Sequence, residues 1–207
     1  MPDKTAARVE RKTQRQRREA TIAKLVDATI DTIIDHGYYR TTIAAITDRA
    51  GVSVGAMFRH FNSRHDLIAQ VAEEISERVL TAGDGALAAA RESQSPTESG
   101  IALLAALTAT PLVAAWHEML VAARTDSELR ERIAPVLPRF YAGILDRANS
   151  LGILRDVPES MREVALFSLV HMFSGAALTG GVHPRPDLDA KRIPLAAYYF
   201  QHTPDQS

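Results

Sequence analysis

Two short helical stretches joined by a three-residue turn, within residues 41–61, restrict the fold of this chain more than any other feature. Thr41 and Thr42 offer a capping hydroxyl ahead of Ile43, Ile46 and Ala50, and Gly51 closes that helix. Ser53 then caps another helix, in which Met57 and Phe61 stand four apart on one face. The turn is only Gly51-Val52-Ser53, and its glycine accepts a positive φ without strain. This is the grammar of a helix-turn-helix, whose second helix enters a major groove about 12 Å wide while the first braces it. Gly55 and Ala56 suit that task, because small side chains in the first turn let the backbone approach base edges and phosphates. The unpaired N–H groups of a helix start also favour a phosphate.

Upstream, Ile22, Leu25, Val26, Ile30, Ile33 and Ile34 recur at three- and four-residue spacing, which predicts one helix ending at Gly37. Residues 1–19 lack such periodicity and hold Lys4, Arg8, Arg11, Lys12, Arg15, Arg17 and Arg18, so a flexible basic arm is expected there. Residues 1–65 carry 12 Lys and Arg against 7 Asp and Glu, whereas the remainder carries 12 against 18. A basic front on an acidic body points to a polyanion partner for the front alone.

The run over residues 30–61 resembles the TetR family of transcriptional regulators. The likeness lies in His36-Gly37-Tyr38, Thr41-Thr42, Ala50-Gly51-Val52-Ser53 and Phe58-Arg59-His60-Phe61, and it continues into Ser63, Asp66 and Leu67. The resemblance implies an all-α homodimer with an N-terminal three-helix DNA-binding domain and a larger C-terminal domain that senses a small molecule. It places Thr42, Ser53, Gly55, Phe58 and His60 on the DNA-facing side and Arg64 where a basic residue meets phosphate. Val54 stands where Lys or Arg is common in the family, and Phe58 where Tyr is common. Arg59 is left as the base-reading or phosphate-binding side chain of the third helix, and the seven basic residues of the arm, Arg15, Arg17 and Arg18 among them, are expected to compensate in a minor groove.

Other chemistries fit the residues poorly. Gly51-Val52-Ser53-Val54-Gly55 matches the G-x-S-x-G elbow of α/β-hydrolases, but that elbow needs a buried strand before it, and residues 43–50 have helical spacing with Asp48 and Arg49. No enzyme is expected. His60 and His65, five apart, do not share a helical face, so no metal site is expected; no cofactor is indicated either. The absence of cysteine excludes disulfides and thiolate chemistry and is compatible with a cytoplasmic location. With no apolar run near the roughly 20 residues of a bilayer span, no membrane partner is expected.

A fourth helix is predicted from Asn62-Ser63, with Leu67, Ile68, Val71, Ala72, Ile75 and Val79 as its apolar stripe and a kink or end at Gly83 and Gly85. Residues 92–99 read as a loop. Further helices are expected at about 100–109, 111–124, 127–150, 159–179 and 188–202, with Pro135 and Pro138 splitting or kinking the third. Three parts follow: an arm over 1–19, a DNA-binding domain over 20–65 and an effector and dimerisation domain over 66–207.

Apolar residues of 159–179 surround nearly the whole helix, and Tyr198 and Tyr199 add to a last apolar helix, so these two should meet a second copy. Large or polarisable apolar residues mixed with a few polar ones are the usual lining of a ligand pocket, and Trp116, His117, Met119, Phe140, Tyr141, Phe167, His171 and Met172 fit. The C-terminal half has no cluster of Arg or Lys within apolar helices, which favours a neutral or cationic hydrophobic ligand over a multiply anionic one. Activation instead of repression is equally compatible with the residues.

Overall fold

In the computed structural model, residues 13–91, 95–155 and 157–201 are described, and they form ten α-helices and two 3-10 turns with no strand. The first helix, α1 (Gln14–His36), starts earlier than its apolar stripe suggests. Thr13 Oγ1 accepts from the Gln16 N–H at 3.3 Å, and Gln16 Oε1 accepts from the Thr13 N–H at 2.8 Å. This reciprocal box satisfies donors that a helix start otherwise leaves open. Residues 14–19, expected in a flexible arm, are therefore the first turns of α1; Lys4, Arg8, Arg11 and Lys12 lie outside the described residues. Leu25, Val26, Ile30 and Ile33 are buried as the spacing predicts, but Ile34, one step around the helix, is 40% exposed.

Gly37 ends α1 at φ +80°, and the 3-10 turn Tyr38–Arg40 leads to α2 (Ile43–Ala50) and α3 (Val54–Met57). The Oγ of Thr42 accepts from the Ala45 N–H at 3.2 Å, and that of Ser53 from the Ala56 N–H at 3.1 Å. Gly51 takes the left-handed conformation between the two helices, at φ +65°. Thr41 turns inward instead, its hydroxyl donating to Gly37 O at 2.9 Å. Met57 and Phe61 are buried, as their spacing predicts.

Next comes α4 (Arg64–Arg91), with all six residues of the predicted apolar stripe buried. It continues through Gly83 and Gly85, where a kink or end was expected. Each glycine costs about 1 kcal/mol against alanine, and the turn that carries Gly83 packs on Leu107, whose Cδ1 lies 3.7 Å from where a Cβ would stand. α5 (Pro96–Thr108) places Pro96 in its first turn, where the missing N–H costs nothing, so residues 96–99 are helix, not loop. α6 (Pro111–Ala123) follows. Pro135 separates α7 (Ser127–Ile133) from α8 (Val136–Ser150), as expected, and Pro138 is accommodated in the first turn of α8. The 3-10 turn Glu159–Met161, α9 (Arg162–Gly180) and α10 (Pro186–Gln201) complete the chain.

Two hydrophobic clusters hold these helices. The first joins Leu25, Met57 and Ile68 to Trp116, Met119 and Phe140, so one core runs without a break from the helix-turn-helix into α6, α7 and α8. The second gathers Ile101, Leu154, Leu166, Leu169 and Phe173 from α5, the segment after α8, and α9, with Ala196 and Ala197 of α10. A glycine sets the spacing in this cluster. A Cβ on Gly100 would stand 2.2 Å from Ile153 Cδ1 and 2.4 Å from its Cγ1. Gly100→Ala is therefore expected to lower stability by about 1 kcal/mol or more through overpacking, seen as a reduced midpoint in a thermal melt; an unchanged melt would show that Ile153 repacks freely.

The segment Glu159–Gly180 is long and apolar enough to cross a bilayer by length and composition, contrary to the expectation that no stretch is. Its apolar residues serve three surfaces. Leu166, Leu169 and Phe173 enter the core, Val170 faces a cavity described below, and Val164 and Leu178 are about half exposed.

Candidate nucleic-acid interface and ligand cavity

The caps of α2 and α3 are both exposed. Thr42, Ser53, Val54, Gly55, Phe58 and Arg59 are all exposed, and Val54 and Phe58 leave nearly half of their apolar surface in water. The hydroxyl of Ser53 is committed to the helix start, as a cap and not a nucleophile. Arg59 Nε donates to Gly55 O at 3.3 Å, within its own turn. His60 is half-buried, and its Nδ1 is buried without a hydrogen-bond partner. Arg15, Arg17 and Arg18 are exposed on the first turns of α1, where Arg15 pairs with Glu19 at 2.8 Å.

Arg64, expected against a phosphate, is turned into the protein. Its Nε donates to Thr41 O at 2.8 Å, Nη1 to the Tyr38 hydroxyl at 2.9 Å and Nη2 to Tyr38 O at 2.9 Å, while the guanidinium lies 4.4 Å from the Tyr38 ring centroid. It fastens the turn after α1 to the start of α4. The Tyr38 phenol beside it is held above its ordinary pKa, chiefly by burial, with Arg64 acting in the opposite direction.

Polar contacts also tie this module to α6 and α7. Glu118 of α6 accepts from the Tyr38 N–H at 2.9 Å. His65 of α4 lies between Asp126 (3.1 Å) and Glu128 (3.4 Å) at the start of α7, and Asp66 pairs with Arg132. Sequence reasoning missed Glu118, although a lone carboxylate in an otherwise apolar helix is a signal that it has a partner.

A cavity of about 410 Å³ lies where the two hydrophobic clusters meet. α4 contributes Val79, Leu80 and Gly83; α5 gives Leu104 and Leu107; α6 gives Trp116, His117 and Leu120; α8 gives Phe140, Tyr141, Ile144 and Arg147; α9 gives Leu169, Val170, His171 and Ser174. Five of the eight residues expected in a pocket line it. Met119 does not, being wholly buried in the first cluster. Phe167 packs on Tyr141 with ring centroids 4.6 Å apart, and Met172 packs on the second cluster; neither lines the space. The missing part of the expectation was the leucine wall and Arg147, which only long-range packing brings together. Burial pushes the His117 imidazole below its ordinary pKa and the Tyr141 phenol above its own, so both face the cavity uncharged near neutral pH.

Residues 25–71 match the family model described as bacterial regulatory proteins, tetR family. An HTH-type transcriptional regulator of Mycobacterium tuberculosis is 41% identical over 184 residues, covering 89% of this chain and 94% of the relative. Among solved structures, a TetR-family transcriptional regulator from Rhodococcus sp. superposes with a TM-score of 0.66 at 15% identity, covering 87% of this chain and 98% of that one. The transcriptional regulator FadR from Bacillus subtilis, solved with stearoyl-CoA, gives 0.57 at 17% identity, covering 87% and 97%. The caps, turn and exposed face of α2 and α3 are thus the helix-turn-helix of a DNA-binding transcriptional regulator, and the chain belongs to the TetR family.

Proposed function

We propose that this regulator is a homodimeric repressor, cytoplasmic, that leaves a palindromic operator when a small hydrophobic or amphipathic ligand fills the cavity. The observation that carries this reading is the double duty of α6. Trp116, His117 and Leu120 line the cavity, while Glu118, between them, holds the Tyr38 N–H of the DNA-binding module at 2.9 Å. A ligand that displaces α6 acts on the module directly. α4 supplies a second route, since its Val79, Leu80 and Gly83 line the same cavity and its first turn carries Arg64. Release requires that the ligand bind the operator-free arrangement more tightly, and operator binding then weakens ligand binding by the same factor.

In this proposal residues 20–65 with the start of α1 contact DNA, and residues 66–207 bind the effector and pair the copies. Thr42, Ser53, Val54, Gly55, Phe58 and Arg59 meet the operator, with His60 at the edge of that surface and Arg15, Arg17 and Arg18 toward the flanking backbone. Dimerisation is supported by the apolar surface left on α9 and α10, where Val164, Leu178, Leu195, Tyr198 and Tyr199 are each more than half exposed. Two copies suit an operator of two half-sites separated by about one helical turn or more.

Selection of binding sites from a random duplex pool, followed by titration at two salt concentrations, tests the reading. A palindromic site bound at least about a thousandfold more tightly than its scramble is expected, with affinity falling steeply as salt rises. Enrichment of no duplex, with little effect of salt, would sink it.

A further inference from the structure

We propose that the cavity takes an amphipathic monoanion, an apolar chain ending in one carboxylate, and that Arg147 receives the carboxylate. This rests on the cavity being the effector site. Among the described residues, Arg147 is the one formally charged side chain in the lining, and no Asp or Glu lines the space, so nothing there would neutralise a cationic ligand.

The hydrogen bonding of Arg147 leaves room for an anion. A guanidinium has five N–H donors. Nε and one Nη2 N–H meet the two oxygens of Asp84 at 2.6 and 2.8 Å, and one Nη1 N–H meets Gly143 O at 3.2 Å. One N–H therefore remains on each Nη to meet an anion, and a guanidinium holds a carboxylate through such charge-assisted hydrogen bonds. Asp84 need not be displaced; it fixes the guanidinium in place before the ligand arrives, so little side-chain entropy is lost on binding.

The position suits a head group. The Arg147 side chain is 30% exposed, so a carboxylate there keeps part of its water while the chain runs inward between Leu80, Ile144, Leu104 and Trp116. Glu77 and Asp146 also act on Arg147, and both are exposed, where solvent and salt screen their repulsion of an incoming anion. The contact also reaches the DNA-binding module along one helix, because Asp84 belongs to α4, whose first turn carries Arg64. The preference for a neutral or cationic ligand expected from the sequence is thereby reversed for a single negative charge.

The sole tryptophan, Trp116, lines the cavity and reports its filling. Full-length protein titrated with dodecanoate, methyl dodecanoate and dodecyltrimethylammonium is expected to show saturable changes in Trp116 emission. Dodecanoate should have a Kd at least tenfold below those of the other two. Arg147→Met is expected to raise the dodecanoate Kd to that of the ester and leave the ester's unchanged, which also shows that the variant folds. Asp84→Asn, which retains a hydrogen-bonding partner and removes a negative charge, should bind dodecanoate as tightly as wild type or more so. The proposal is overturned if the ester or the ammonium binds as well as the acid, if Arg147→Met keeps the preference, or if no probe changes the emission. DNA takes no part in this experiment. Protein that prefers dodecanoate yet holds its operator would refute ligand release alone, and release by a neutral compound with no carboxylate preference would refute this inference alone.

Discussion

Gly55→Leu is expected to abolish sequence-specific binding, lowering affinity for the selected duplex at least about a hundredfold while the protein stays folded. The argument begins with what Gly55 does not do. Its φ is not positive, and a Cβ built on it meets no atom within 4 Å, so neither the turn nor the core requires glycine there. It lies in the first turn of α3, exposed beside Val54 and Phe58, and the open space in front of it is space for a partner. A leucine projecting from that point would lift the helix away from the groove, and each base pair no longer read costs about 1–3 kcal/mol. Stability should be unchanged or slightly raised, by up to about 1 kcal/mol from helix propensity. Anisotropy titration on the selected duplex, paired with a thermal melt, measures both. Wild-type affinity in the variant would remove the N-terminus of α3 from the DNA interface.

Arg64→Ala is expected to have the largest effect on stability, destabilising the protein by about 2–4 kcal/mol. Truncation leaves Thr41 O and Tyr38 O without their charged donor in a region where Thr41 and Tyr38 are almost entirely buried. Arg64→Lys should recover less than half of the loss, since one ammonium cannot reach three acceptors in a plane and stack on Tyr38 as well. Chemical denaturation of the three proteins checks this. Were Arg64 a phosphate ligand instead, both variants would keep wild-type stability, and Arg64→Ala alone would reduce the salt dependence of DNA binding by about one unit of slope.

The helix-turn-helix could be read from the sequence because its determinants are local. Caps at Thr42 and Ser53, a left-handed glycine at Gly51 and the buried pair Met57 and Phe61 all fall within about twenty residues and act through the nearest backbone. Family resemblance placed Arg64 at a position common for a basic residue, but where its guanidinium points depends on Tyr38, which belongs to a different element. The start of α1 was legible in principle, since Thr13 and Gln16 have the spacing of a capping box, but an apolar stripe beginning at Ile22 drew the boundary inward. Continuity of α4 through Gly83 and Gly85 was not legible. Propensity argued for a break, and the opposing factor is packing: a Cβ on Gly83 would stand 3.7 Å from Leu107 Cδ1 of α5, ordinary van der Waals contact, so α5 covers α4 at this turn. The cavity was half legible. Aromatic and histidine residues announced themselves by type, whereas Leu80, Leu104, Leu107 and Leu120 are indistinguishable from core leucines until five helices are assembled.

Every residue that lines the cavity lies at or beyond Val79, and every residue of the exposed α2 and α3 surface lies before Phe61. On the proposed reading, address and signal are therefore written in separate stretches of the chain, joined by α4, the Tyr38–Glu118 hydrogen bond, the pairing of His65 and Asp66 with α7 and a shared apolar core. Substitutions that reshape the cavity leave the reading surface untouched, and changes at Val54 or Phe58 leave the cavity untouched. Under that proposal, descendants of this protein can exchange one effector for another while keeping their genes, or acquire new genes while keeping their effector, as long as those links persist.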